Sequence, residues 1–298
     1  MIGPGELLAS WNLFEKLKKY WANRTGRQVT QPESVATRFV RVFESHGVHR
    51  NQIPRFIGHG LTLKDVQDDV SLLAKLDEPL LEAVCEKFAV RREWLDGAEK
   101  QIHPEHDFYR HPESFQIFLD ELVASNPKGD FHGVLLAPEE RDGHDELLLI
   151  FQETIGQVGD KPIFRFHLCN NWSFSYWRAR AYLTACVAIS WKRKVFVLGK
   201  YMPKKEIDKL AYGETLLGWQ GEGAWFMGSR KWYPEDMALD PVTFLNGIDP
   251  EQDNFGIKEG LKLWLDLEEQ GYMDVQLTSV LYPNPKQAFQ QELAKYTA

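Results

Sequence analysis

Residues 36–97 place their apolar side chains at helical spacing in short runs, each opened by a capping residue or closed by a glycine. That punctuation restricts this part of the chain to a cluster of short helices. Pro32, Glu33 and Ser34 open a helix through Val35, Phe39, Val40 and Phe43, and Gly47 stops it. Ile53, Phe56 and Ile57 share one face of a second helix, ended by Gly58, with His59 and Gly60 as the turn. Thr62 is placed to cap a helix carrying Leu63, Val66, Val70 and Leu73. Asp77 caps the next helix, with Pro79 in its first turn and Leu80, Leu81, Val84, Cys85 and Phe88 as its buried face. A last turn over 91–95 closes at Gly97. Ahead of the cluster, residues 5–22 read as an amphipathic helix with Leu7, Trp11, Phe14 and Trp21 in a stripe and Lys16, Lys18 and Lys19 near its end.

At 298 residues the chain is long for one domain and comfortable for two. With 43% hydrophobic and 26% charged residues it can build a core and is not a disordered chain. The longest low-charge run, residues 181–191, is too short to span a bilayer, and the first residues lack the pattern of a secretory signal. The three cysteines, Cys85, Cys169 and Cys186, are sparse and widely spaced. They imply reduced thiols and a cytoplasmic setting rather than a disulfide framework or thiolate metal site. The net charge is −8, but residues 1–60 carry nine Lys and Arg against four Glu. A basic front on an acidic body suits a protein whose one end approaches phosphates, or is uneven solvated surface.

Two stretches of the helical cluster carry a resemblance. Gln52-Ile53-Pro54-Arg55-Phe56-Ile57-Gly58 and the later Phe88-Ala89-Val90 with Trp94-Leu95-Asp96-Gly97 resemble the lambda-repressor-like, cro/C1-type helix-turn-helix domain over residues 36–97. The resemblance implies double-stranded DNA as partner, with Arg50, Asn51, Arg55, Lys64 and Gln67 as the contacts, and a homodimer on a two-fold site. Pro54 departs from the family's pattern and demands a short helix that starts late. The turn through His59-Gly60-Leu61 is one residue longer than usual. The segment that would read bases carries Asp65, Asp68 and Asp69 against Lys64, and carboxylates meet repulsion from phosphates. Either those carboxylates face away from DNA, or the domain is a degenerate copy used for protein contacts.

Residues 101–112 hold two prolines and three histidines among polar residues and read as a linker. His103, His106 and His111 have no metal-ligand spacing, and no metal or cofactor is expected. The expected division is therefore a helical domain over 1–100, a linker over 101–112, and a sensor or oligomerisation domain over 113–298. In the last part, helices are expected over 113–125, 178–188, 204–211 and 255–269, and strands over 131–136, 146–153, 162–169 and 195–201. That mixture, without strict strand–helix alternation, predicts an α+β domain with a mostly antiparallel sheet.

No Gly-rich phosphate loop, nucleophile elbow or zinc-protease motif appears, so no catalytic residue is assigned. Asp145 and Glu153 flank an apolar strand, but Ile155 stands where a nuclease-like lysine would follow. The densest chemistry lies over 165–180. Arg165 and His167 alternate onto one strand face, and Trp172, Trp177 and Arg178 follow closely. An Arg/His face beside aromatics fits a small anionic or planar ligand held by bidentate hydrogen bonds and cation–π stacking. Arg165, His167, Trp172 and Arg178 are the candidate ligand residues. The bland reading is a Trp-rich core with Arg stems packed over it. The whole indicates a DNA-binding regulator with a sensing or self-association domain, or a protein-interaction module without DNA binding.

Overall fold

The structure, a computed structural model, describes residues 33–127, 130–139, 146–218, 222–224, 227–277 and 282–296. The amphipathic segment 5–22 lies outside the described residues. The first described element, α1 (Val35–Ser45), starts where Ser34 Oγ accepts the Thr37 N–H at 3.1 Å, and it buries Phe39, Val40 and Phe43. Proline in its first turn confines α2 to Ile53–Ile57, and Gly58, His59 and Gly60 all take positive φ after it.

The helix expected from Thr62 is not formed. Thr62 and Asp65 close a separate turn, with Thr62 N–H and Oγ1 both donating to Asp65 Oδ2. A new start follows at Asp68, whose carboxylate accepts the Ser71 N–H, so α3 covers only Asp69–Leu73. A Thr62–Asp65 turn and a cap at Asp68 thus divide one apolar-periodic run. Of the apolar residues expected inside, Val66 is buried, whereas Leu63, Val70 and Leu73 are exposed at 63%, 83% and 54%. The next helix, α4 (Glu78–Phe88), is capped by Asp77 and ends at Ala89 in the left-handed region. Finally α5 (Arg92–Asp96) buries Trp94 and Leu95 and stops at Gly97.

Among the described residues six strands form one sheet: β1 (Glu105–Asp107), β2 (Phe131–Pro138), β3 (Glu146–Val158), β4 (Lys161–Ser173), β5 (Val197–Met202) and β6 (Lys231–Trp232). Their order is β1-β4-β3-β2-β5-β6. β2, β3 and β4 form an antiparallel meander, and β6 is antiparallel to β5. β1 joins β4, and β5 joins β2, in parallel. The sheet is therefore mixed, which corrects the mostly antiparallel expectation. The cause is a crossover: α7 (Trp177–Lys192) carries the chain from β4 back to the free edge of β2, and such a return makes a parallel pair.

One sheet face packs Leu135, Leu149, Phe151 and Trp172 under α6 (Pro112–Ser125), α7 and α11 (Phe255–Glu269). The other packs Val134, Ile150 and Phe166 under α8 (Lys204–Ala211). Near the C-terminus α12 (Pro285–Ala294) is held by Phe289, whose ring stacks on Trp264 at 3.6 Å. α9 (Asp236–Leu239) and α10 (Pro241–Leu245) fill the stretch between β6 and α11.

The helical cluster is stitched to the sheet. Ile163 of β4 belongs to its core, and Phe56 lies so close over Gly156 that a Cβ there would sit 2.9 Å from the ring. Residues 101–112, read from sequence as a linker, are part of the fold. They contain β1, and His103 is wholly buried. Its Nδ1–H donates to the Ala89 carbonyl at 3.0 Å while Nε2 accepts the Leu217 N–H at 3.1 Å. Among the described residues no helix is long and apolar enough to cross a membrane.

Candidate functional site

The strongest concentration of functional groups lies where the helical cluster meets the β3–β4 hairpin. Cross-strand pairing sets Glu153 opposite Arg165 and Phe151 opposite His167, on the face that α6 covers. An irregularity between Thr154 and Gly156 shifts the register by one, and this shift is what brings Glu153 rather than Thr154 to Arg165. Glu153 is fully buried. Its Oε1 accepts Arg165 Nε at 2.5 Å and His167 Nε2 at 2.7 Å, and its Oε2 accepts Asn126 Nδ2 at 3.0 Å. Burial opposes ionisation, but these donors outweigh it and hold the Glu153 carboxyl down at about 2.

This triad is a post, not a reactive centre: its carboxylate has no open face. What it does is aim Arg165. With Nε fixed on Glu153, Nη1 reaches across to the Glu86 carbonyl of α4 at 3.0 Å. The guanidinium then borders a cleft of about 410 Å3 lined by Ile57, His59, Glu86, Lys87, Asn126 and Arg165, among others. A second lobe of about 190 Å3 shares Lys87 and Ile155 and adds Gln52, Arg55 and Phe56. The Lys87 ammonium sits 5.0 Å over the Phe56 ring. Burial, and then the charge on Arg165, push the Lys87 pKa down. Among the described residues no carboxylate pairs with Lys87. Two cations thus converge on one cleft with the exposed Glu86 as the acidic side chain on its wall.

Of the four ligand residues expected from sequence, the structure brings two together. Trp172 is sealed in the core and donates Nε1–H to the Cys169 carbonyl at 3.1 Å. Arg178 lies 4.6 Å over the Trp177 ring, on a different element. Neither reaches Arg165 and His167 in this arrangement. Sequence reading missed Lys87, Asn126 and Glu153 as partners of the cleft. A hairpin register from the 159–160 turn would have brought Glu153 within one position of Arg165.

The expected DNA contacts divide in the same way. Arg50 is committed internally: Nε donates to the Val66 carbonyl at 2.5 Å and Nη2 to Asp69 Oδ1 at 2.7 Å. Asn51, Arg55, Lys64 and Gln67 are exposed. Arg55 lines the small lobe beside Gln157 and Val158, so that cation stands against the hairpin. Gln67 Nε2 lies 3.3 Å from Asp68 Oδ2.

The three linker histidines diverge. His106 packs its ring 4.6 Å from Phe118, and His111 is exposed beside Glu113. Among the described residues no group of three His, Cys, Asp or Glu side chains is placed to hold a metal ion. Asp145 lies outside the described residues. Comparison with known protein families, with characterised proteins and with solved structures finds no match to this chain.

Proposed function

We propose that this protein is a ligand-responsive regulator that binds a small anion in the cleft between the helical cluster and the sheet. The observation that carries the reading is the pair Arg165 and Lys87. Two like charges are held at one cleft, one braced by a buried carboxylate and the other with no carboxylate partner among the described residues. A phosphate or carboxylate entering there would meet both, with Ile57 and Ile155 as apolar walls. Arg165 also touches α4 through the Glu86 carbonyl, so a ligand that recruits the guanidinium would act directly on the helical cluster.

The test is calorimetric titration with inorganic phosphate and with a dicarboxylate at low salt. Arg165→Gln and Lys87→Met should each weaken binding about tenfold or more, the order expected for losing one charge-assisted contact. Binding unchanged in both variants would overturn the site.

The output partner has two readings. Duplex DNA is supported by the resemblance of residues 36–97 and by the exposure of Asn51, Arg55, Lys64 and Gln67. It further implies a homodimer, checked by sedimentation. A protein partner is supported by the exposed Leu63, Val70 and Leu73 beside Asp65, Asp68 and Asp69, a surface that repels phosphates and offers apolar area. A salt-dependent titration with duplex DNA separates them. DNA binding predicts a slope that falls by about one for each of Arg55→Ala and Lys64→Ala.

A further inference from the structure

The cleft at Arg165 is longer than one small anion needs. Its two lobes, of about 410 and 190 Å3, meet at Lys87 and Ile155, which line both. Sites of roughly 300–1,000 Å3 take organic molecules, so the two lobes together fit a ligand larger than inorganic phosphate. The join is a product of the strand. Ile155 stands at the irregularity of β3, between Thr154 and Gly156, which both pair with β4. The register shift that sets Glu153 against Arg165 therefore also puts an apolar side chain where the lobes meet. Phe56 extends that apolar middle, its ring 5.0 Å from the Lys87 ammonium and packed against Gly156.

Positive charge is spread along this path rather than gathered at one end. Arg165 stands in the larger lobe, braced by Glu153. Lys87 stands at the join. Burial first, and then the Arg165 charge, hold its pKa down, so these two cations are neighbours. Arg55 stands in the smaller lobe and is exposed. Among the described residues lining the two lobes, Glu86 is the only carboxylate, and it belongs to the larger one. An anion held by Arg165 and Lys87 alone would leave the smaller lobe and its guanidinium unused.

We propose that the ligand is an elongated organic dianion, its two acidic groups on Arg165 and Arg55 and an apolar spacer against Ile155 and Phe56, with Lys87 over the middle. The inference rests on the anion-binding reading of this cleft and names its class of ligand. A molecule of the right span engages both guanidiniums for the entropic cost of one association, and so binds tighter than either end alone. One that is too short reaches a single guanidinium.

The test is calorimetric titration of the full chain at low salt. The probes are inorganic phosphate, hexanoate with one carboxylate, and succinate, adipate, suberate and sebacate with two at increasing span. Affinity should peak at one span, at least about tenfold tighter than hexanoate, the order of one added charge-assisted contact. Arg55→Gln should remove that gain, leaving the best dicarboxylate level with hexanoate. Arg55→Lys, which keeps the charge, should retain most of it. Phosphate and hexanoate binding with no dicarboxylate tighter than hexanoate would overturn the dianion and leave the anion site standing. So would a gain that is equal at every span or that survives Arg55→Gln. If phosphate, hexanoate and every dicarboxylate fail to bind, the anion site falls and the dianion with it.

Discussion

Replacing Glu153 by Gln tests the post that aims Arg165. The carboxylate receives Arg165, His167 and Asn126, and its side chain is fully buried. Glutamine keeps the shape and one acceptor oxygen but turns an N–H₂ toward donors, leaving the Arg165 charge without its partner. Breaking a buried pair from one side costs about 3–5 kcal/mol. The carboxyl gives an independent figure. Held at about 2 in the fold against an ordinary 4.5, it contributes about 3 kcal/mol at neutral pH. Because the folded value is depressed, that stabilisation is full above about 4.5 and is lost as pH falls through about 2. Urea unfolding of both proteins at pH 7 should therefore separate them by about 3 kcal/mol, and the gap should narrow by roughly 1–1.5 kcal/mol at pH 3.5. A gap under about 1 kcal/mol at pH 7, or one that stays constant between the two pH values, would refute the account of Glu153 as the ionised anchor.

Three further outcomes are expected. His103 is buried and neutral, its pKa pushed down by burial to about 3, so its contribution is full above about 6.5 and lost as pH falls from there; His103→Gln should remove up to about 1.4 kcal/mol per pH unit from the stability slope between pH 6 and 4.5, measured by urea midpoints. Trp94 is 3% exposed under the Arg38 and Arg41 guanidiniums, so Trp94→Ala should cost about 3–5 kcal/mol, seen as a shifted denaturant midpoint; a parent-like midpoint would contradict its place in the core. Arg50→Ala should lower stability by about 1.5–3 kcal/mol through its lost bonds to Val66 and Asp69, whereas Arg55→Ala should leave stability within about 0.5 kcal/mol; equal effects would mean the internal clamp is misread.

Local rules carried much of the helical cluster. Ser34 and Asp77 do cap α1 and α4, Gly97 does stop α5, and Pro54 does shorten α2, because each of these devices acts within one turn of chain. The 62–73 stretch failed for the same local reason seen from the other side. Its apolar spacing predicts one helix, but Asp65 and Asp68 each find a nearby partner and split it, exposing Leu63, Val70 and Leu73. The strands of the β3–β4 hairpin were legible over 146–153 and 162–169, yet β3 runs on to Val158 and β4 from Lys161 to Ser173.

What the sequence by itself determined is therefore the set of elements whose causes are short-range: caps, stops, periodicities and the apolar strands of a mixed α and β fold. Only the tertiary structure decided the rest. It made the sheet mixed, because a helix of 16 residues returns the chain to the far edge of the meander. It turned an apparent linker into an edge strand with a buried histidine, because the backbone groups of Ala89 and Leu217 converge on His103 from distant parts of the chain. It also split the candidate ligand cluster. Arg165 and His167 meet on Glu153 through a one-residue shift in strand register, while Trp172 is sealed in the core and Arg178 rests on Trp177. Spacing along a chain fixes which face a side chain takes. Whether that face meets a carboxylate, a core or a cleft depends on residues far away in sequence, and no local pattern records them.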